Sequence, residues 1–301
     1  MPNKIVFYFY CAALLLTGCA DTQYRAQQIL AEIDQPLVAE KPVYQKPKTQ
    51  VAQAQNSDGD RAIQKISYDD KIKASELGDR YALLIGINEY KYFTPLETAV
   101  SDIEAIEKIL KNNYGFQTVT IKNQEATREN IIEAINTLRR KLGENDKLLI
   151  YYAGHGHFDR MTDTSYWIPY EAKPDSDAHY IEAKSAITTN LKRISAKQIL
   201  IVADSCYSGT LSRAGEVKLQ SGSANRSAYI KNISSRISRV LIASGGNEPV
   251  ADGGGGGHSV FARAFMDGLM HPKHNIFSSE ELFVYDIREK VGGSAMQLPE
   301  Y

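Results

Sequence analysis

Strand-length apolar runs alternate with helix-patterned segments from Arg80 to the end of the chain, and this alternation constrains the fold more than any other feature. The runs at Tyr81–Ile87 and Lys147–Ala153 are continuous, which is typical of buried strands. Between them, apolar residues recur at helical spacing, as at Ile103 and Ile106. We therefore expect an α/β fold in which a mostly parallel β-sheet is flanked by helices on both faces.

The same patterns predict the individual elements of this domain. We predict strands at Tyr81–Ile87, Phe116–Ile121, Lys147–Ala153, Ile194–Ala203 and Arg239–Ser244. We predict helices at Glu97–Asn112, from an N-cap at Thr127 through Leu138, at Ser259–Met270 and at Ser279–Val291. Ligands of such sheets bind beyond the carboxyl ends of the strands, so the functional residues are expected at that rim.

The charge of the chain is almost balanced, which bears on its partners. Lys and Arg total 35 against 36 for Asp and Glu, a formal net charge of −1. A nucleic-acid-binding protein usually carries a basic excess, so we expect no nucleic-acid partner.

The N-terminus has the pattern of an export sequence. Lys4 precedes an apolar run from Ile5 to Leu16, which is too short to span a bilayer as a helix. The following Leu16-Thr-Gly-Cys19-Ala20 resembles the bacterial lipoprotein box, which implies a signal peptide at residues 1–18 and a lipid on Cys19. The resemblance implies a lipid anchor in a bacterial membrane, in the outer membrane or on the periplasmic face if the cell is Gram-negative. An ordinary signal peptide or a short membrane anchor is the alternative.

Residues 19–78 differ in composition from the domain that follows. They are rich in Gln, Lys, Ala and Asp, contain Pro36, Pro42 and Pro47, and show no sustained apolar period. We interpret them as a flexible tether ahead of a domain at residues 79–301, with packing of this segment on the domain as the alternative.

The chain has three cysteines, and their positions limit what they can do. Cys11 would leave with the signal peptide and Cys19 would carry lipid, so Cys206 is the remaining thiol and no intramolecular disulfide is expected. A lone thiol in an oxidising compartment is a liability unless it is buried or used.

Two predicted strands end in residues that suit nucleophilic catalysis. The third ends in Ala-Gly-His155-Gly156, and the fourth ends in Asp204-Ser-Cys206-Tyr-Ser-Gly. Parallel strands would bring this imidazole and this thiol to one rim, where the imidazole can activate the thiol and protonate a leaving amine. The backbone N–H groups of Gly156 and Cys206 are candidates for holding the oxyanion. His157, two residues on, is expected to be an exposed loop residue.

These two segments, with Leu-Leu-Ile-Gly-Ile-Asn88 and Ala-Val-Ser-Asp102, resemble the caspase-like peptidase family C14 in its bacterial metacaspase or orthocaspase branch. The resemblance implies a caspase-like fold and endopeptidase cleavage of protein or peptide substrates, with Cys206 as nucleophile and His155 as acid and base in a dyad. We expect no required cofactor and no metal site. Many metacaspases are activated by calcium, which stays open here, although no Asp-x-Asp-x-Asp-Gly loop is present.

Two carboxylates are the candidates for substrate selection. Asp204 lies two residues before the nucleophile, and Asp102 matches a second pocket acid of the metacaspase-like pattern. Together they would favour a cationic side chain, and therefore cleavage after Arg or Lys rather than after Asp. The alternatives are a turn cap for Asp204 and an N-cap or first-turn helix acid for Asp102.

Two segments of the domain carry further expectations. Residues 210–238 are polar, Ser-rich and basic, and we interpret them as an internal linker that is either a self-processing site, at Arg213, Lys218 or Arg226, or an uncut surface loop. In the family, a final strand usually follows the position of Gln297–Tyr301, so we expect either a truncated gene product or a domain without its last strand, and each would leave a sheet edge exposed.

Three other functions stay open at this point. His155, His157 and Cys206 could bind zinc, although a fourth ligand is not evident. The domain could be catalytically weak or inactive and act as a protein-interaction module. It could also be a thiol acyl transferase acting on cell-wall peptides.

Overall fold

The computed structural model describes residues 78–183, 187, 189–205, 232–245, 256–274, 276–294 and 298–301. The predicted signal peptide with Cys19, the tether up to residue 77, Cys206 and most of the predicted 210–238 linker lie outside the described residues.

The main sheet has five parallel strands, and all five were predicted from the apolar runs. They are β1 (Arg80–Gly86), β2 (Gln117–Lys122), β3 (Lys147–Ala153), β7 (Gln198–Asp204) and β8 (Ser238–Ala243), in the spatial order β2-β1-β3-β7-β8. The fourth run begins later than predicted, because Ile194 and Ala196 are buried in the segment that leads into β7 rather than in the strand.

Helices cover both faces of this sheet, as predicted. They are α1 (Ala99–Tyr114), α2 (Arg128–Lys141), α3 (Asn190–Lys192), α4 (Val260–Met270), α5 (Ser279–Leu282) and α6 (Arg288–Ser294), with a π-helical turn at Phe283–Ile287 between the last two. Successive β1 residues face opposite layers: Leu83 packs in a core with Ile131 of α2, whereas Leu84 packs in a core with Ile103 of α1.

The helices α2, α4 and α5 each begin with a side-chain N-cap. Thr127 accepts a hydrogen bond from the Asn130 N–H at the start of α2, as predicted. Ser259 does the same for the Ala262 N–H at α4, and Ser278 forms a capping box with Glu281 at α5.

A glycine at the end of β1 brings α1 close to the sheet. A Cβ atom on Gly86 would lie 2.7 Å from the Ala99 carbonyl oxygen and 2.7 Å from Ile103 Cδ1. The first turn of α1, which contains Asp102, therefore packs directly over the carboxyl end of β1.

A second, antiparallel sheet was not predicted. It contains β4 (Gly156–Asp159), β5 (Thr164–Trp167) and β6 (Ile181–Glu182), in that spatial order. Trp167 stacks on Tyr152 of β3, with ring centroids 4.4 Å apart, and this contact joins the two sheets. The prediction of a loop at His157 is therefore wrong: His157 lies on β4, although its side chain is exposed as expected.

The last residues contact the edge of the main sheet. Glu300 forms an antiparallel bridge with Ala243 at the end of β8, through two backbone hydrogen bonds of 2.9 and 3.1 Å. In the part of the chain that the structure describes, no helix is both long and apolar enough to cross a membrane.

Candidate active site

Strands β3 and β7 are neighbours, and their register decides which residues meet at the rim. Ala153 pairs with Asp204, and the Gly154 N–H donates to the Asp204 carbonyl at 3.3 Å. His155 therefore follows β3 at the same rim of the sheet at which β7 ends, two positions before Cys206 in the sequence. The two parallel runs predicted this shared rim. Cys206 itself lies outside the described residues.

The backbone of His155 is held on both sides. Its N–H donates to the Tyr90 hydroxyl at 2.7 Å, and its carbonyl accepts from the Tyr152 hydroxyl at 2.7 Å and from the Ile168 N–H at 3.1 Å. A Cβ atom on Gly154 would lie 2.6 Å from the Tyr90 hydroxyl, so a glycine is needed before the histidine for this contact to form.

The imidazole of His155 has a defined orientation. Its Nε2 atom lies 2.8 Å from the Thr94 carbonyl oxygen, and its ring packs against Tyr90 and Phe93. Because a carbonyl can only accept, we assign the proton to Nε2, which leaves Nδ1 as the basic nitrogen of the neutral ring. The geometry suits an acid and base that exchanges a proton through Nδ1.

Ser259 brings the two predicted pocket acids together. Its backbone N–H donates to Asp102 at 3.3 Å, and its hydroxyl donates to Asp204 Oδ2 at 2.6 Å. The same hydroxyl oxygen accepts from the Ala262 N–H at 2.9 Å. One N-cap residue thus holds carboxylates from α1 and β7 at the start of α4.

The two acids are much less accessible than an open cleft would require. Asp102 is 1% exposed and Asp204 is 5% exposed. Asp102 lies in the first turn of α1, which agrees with the alternative prediction of a first-turn helix acid. Its Oδ1 atom is 2.7 Å from Nδ1 of His258. The Asp204 side chain accepts from the Ser259 hydroxyl and, at 3.4 Å, from the Tyr151 hydroxyl, and Ser244 also hydrogen-bonds to it, so these partners are distant in sequence rather than in a local turn.

Burial dominates the electrostatics of this pair. It raises the pKa of Asp204 to about 7; the nearby charge of Asp102 acts in the same direction, and the hydrogen bond from Ser259 opposes it. Burial also raises the pKa of Asp102, against the hydrogen bond from His258. Within the described residues, Asp204 Oδ1 is buried without a hydrogen-bond partner.

Gly156 and His157 follow His155 on β4, and none of their described contacts is with Asp102 or Asp204. Gly156 is the first residue of β4, opposite Trp167, and its oxyanion role stays a prediction. The His157 ring packs near Tyr166 and Tyr180. Among the residues described, no three His, Cys, Asp or Glu side chains are grouped to hold a metal ion.

Sequence reasoning missed four residues of the site. Thr94 acts through its backbone carbonyl, which no side-chain pattern reveals. Tyr90 lies two residues after the recognised Asn88, but nothing in the sequence connects it to His155. Ser259 is the first residue of a predicted helix and His258 precedes it, but their contacts with residues more than 50 positions away depend on the tertiary fold.

We expect Asp204→Asn to stabilise the fold above neutral pH. An unfolded Asp ionises near pH 4, roughly, whereas the folded carboxyl resists ionisation up to about pH 7. The folded state therefore loses stability as the pH rises through this window, and the uncharged Asn removes a cost of about 2–4 kcal/mol at roughly pH 8. The Asn oxygen can still accept from Ser259.

Thermal unfolding of parent and variant at roughly pH 8 and pH 4.5 measures this effect, which should be small at the lower pH. Asp175→Asn is the matched control, since Asp175 is exposed and its substitution should change little. A lower melting temperature for Asp204→Asn than for the parent at the higher pH would contradict the assignment.

Comparison with known proteins gives the family. Residues 79–301, well over half of the chain, match the family model Peptidase_C14, described as the caspase domain. Metacaspase-1A of Neurospora crassa is 25% identical over 201 residues, which are 62% of this chain and 43% of that protein. Metacaspase-7 of Arabidopsis thaliana is 30% identical over 146 residues, which are 43% of this chain and 35% of that protein.

The chain spans less than half the length of these curated relatives. A solved structure, protein GSU0716 from Geobacter sulfurreducens, superposes with a TM-score of 0.51 at 18% identity, covering 74% of this chain and 92% of that one. At this identity the likeness bears on the fold alone, and it agrees with the caspase-like parallel sheet described above. Because the family model matches residues 79–301, the chain belongs to the C14 family of caspase domains.

Proposed function

We propose that this protein is a cysteine endopeptidase in which Cys206 is the nucleophile and His155 the acid and base. The observation that carries the proposal is the placement of the His155 imidazole. Its Nε2 atom lies 2.8 Å from the Thr94 carbonyl oxygen, and the Gly154 backbone just before it is hydrogen-bonded to Asp204 at the end of β7, two positions before Cys206 in the sequence. The membership of the caspase-domain family supports the same chemistry.

In the proposed reaction, Nδ1 of His155 takes the thiol proton and the Cys206 thiolate attacks the carbonyl carbon of the scissile bond. The oxyanion that forms would be held by the N–H groups of Gly156 and Cys206. His155 then gives its proton to the departing amine, and the acyl group stays on sulfur as a thioester. Water, deprotonated by the same imidazole, hydrolyses the thioester and restores the thiol.

The acid pair supports a preference for Arg or Lys before the scissile bond. A guanidinium or ammonium group would compensate two carboxylates whose burial raises both of their pKa values. An acidic side chain would add a third negative charge to the same pocket, which makes cleavage after Asp unfavourable.

A membrane tether and self-processing complete the proposal. The lipoprotein-box resemblance around Cys19 supports a lipid anchor, with residues 19–78 as the spacer to the domain. The basic residues of the 210–238 linker fit the proposed specificity, so the enzyme itself would cut there.

Cys206→Ala should abolish peptidase activity, lowering kcat/KM for a fluorogenic peptide by about a thousand-fold or more, and His155→Ala should be nearly as damaging. Both variants should retain the parent's circular dichroism spectrum. On a gel, the parent should separate into two fragments through the linker while the Cys206→Ala chain stays intact. If the folded parent cleaves no peptide, the domain is an interaction module. If the alanine variant cleaves at the parent rate, the nucleophile is misassigned.

Matched peptides that end in Arg, Lys, citrulline or Asp before the scissile bond test the pocket. Arg and Lys peptides should exceed the citrulline peptide, a neutral isostere of Arg, by roughly ten-fold or more in kcat/KM. Asp204 is ionised above its pKa of about 7, so the ratio of Arg to citrulline cleavage should fall as the pH drops below that value. The ratio cancels every pH effect that the two substrates share. Faster cleavage after Asp than after Arg would exclude the assignment.

Cys19→Ser should remove the lipid and release the protein from membranes or block its processing. The measurement is metabolic labelling with a fatty-acid probe in a bacterial host, followed by membrane fractionation. Cys11→Ser is the matched control and should leave labelling unchanged. A parent protein that stays in the membrane without label would instead be held by an uncleaved N-terminal anchor.

A further inference from the structure

We propose that His258 is a specificity-determining residue of the acid pocket, because its imidazole occupies the position on Asp102 that the cation of a substrate would take. The inference rests on the proposed function and adds to it a competitor within the chain. Cleavage after Arg or Lys then requires an exchange of partners at Asp102, from the imidazole to the substrate side chain.

The contact itself is close and directed. Nδ1 of His258 lies 2.7 Å from Oδ1 of Asp102, within the range of a strong hydrogen bond to a carboxylate. A guanidinium or ammonium group binds carboxylate oxygens through N–H donors of the same kind. The imidazole N–H and a substrate cation therefore compete for one acceptor atom.

The exposures of the two side chains place the imidazole on the route to the acid. The Asp102 side chain is 1% exposed, whereas the His258 side chain keeps 24% of its surface exposed. His258 is thus the more accessible partner of this pair, and the carboxylate is covered. In the proposed binding, a substrate side chain reaches Asp102 by displacing the His258 ring.

The backbone around His258 is held independently of its ring. The Ser101 hydroxyl lies 2.8 Å from the Gly257 carbonyl and 2.8 Å from the Thr98 carbonyl, so the two share its one proton, and Ser259 binds both acids through its N–H and its hydroxyl. These hydrogen bonds attach residues 257 and 259 to α1 and β7. The imidazole can consequently rotate away about its side-chain torsions while the segment stays in place.

This arrangement explains how two buried acids are tolerated between turnovers. The imidazole hydrogen bond opposes the effect of burial on Asp102, which would otherwise favour the protonated acid. His258 therefore keeps Asp102 ready as an acceptor and, at the same time, sets a threshold that weak or neutral side chains do not pass.

The test compares three substitutions of His258 in the full chain, all assayed at the same alkaline pH, because burial raises the pKa of Asp102 and the substitutions remove a hydrogen bond that opposes this effect. The substrates end in Arg or in norleucine, which has the four-carbon side chain of Lys without its ammonium group. His258→Ala should raise kcat/KM for the Arg peptide roughly ten-fold, the value of one hydrogen bond to a charged group. The norleucine peptide should not change.

Two further variants separate the hydrogen bond from the charge. His258→Asn can place an amide nitrogen near the position of Nδ1. Its kcat/KM for the Arg peptide should therefore lie between the values of the parent and of His258→Ala. His258→Lys supplies a permanent cation and should lower Arg cleavage roughly ten-fold. An Ala variant that loses activity on both peptides equally, or that leaves the Arg-to-norleucine ratio unchanged, would overturn the inference and indicate a structural role.

A binding experiment gives a second readout that needs no catalysis. The probe is N-acetyl-arginine amide, added to the Cys206→Ala chain with and without His258→Ala. It should raise the melting temperature more in the chain that lacks His258. An equal or smaller rise in that chain would overturn the inference. If the parent enzyme prefers Arg to norleucine and the His258 variants show the same preference, the role inferred for His258 is wrong but the proposed function is not. A parent with no preference for Arg counts against the proposed function.

Discussion

The parallel pairing of β3 with β7 is the constraint on which the site depends. Ala153 and Asp204 are opposite each other, so the residues that follow both strands start from one rim. A shift of one residue in this register would turn every side chain of one strand to the opposite face. It would move Leu148 and Ile150 out of the core that contains α2, so packing on both faces of the sheet keeps the site residues in register.

The main sheet could be predicted from the sequence because its strands are buried on both faces. Such strands are continuous apolar runs, and the helices between them carry a 3.6-residue period and recognisable caps such as Thr127. The second sheet was missed because β4, β5 and β6 have only four, four and two residues. Segments of this length contain too few residues to show a period, and their pairing is decided by tertiary contacts such as that of Trp167 with Tyr152.

Candidate site residues could be selected from the sequence only where their side-chain chemistry is distinctive. His155 stands between glycines after a buried run, and the two acids match a family pattern, so the sequence was sufficient to select them. The orientation of His155 depends instead on a backbone carbonyl, at Thr94, and on a tyrosine hydroxyl 65 positions away. Contacts of this kind leave no local pattern, because any residue has a carbonyl and the partners are distant in sequence.

The start of α4 shows how the fold maintains a charge pair that is costly to bury. Ser259 is an N-cap, so its hydroxyl oxygen already accepts from the helix while its proton and its N–H remain available for the two acids. The partial positive charge at a helix N-terminus favours carboxylates at this position. These interactions do not offset burial fully, because the pKa of Asp204 is still raised to about 7. In the proposed function a substrate cation would offset this remaining cost, so substrate binding would stabilise the fold as well as select the substrate.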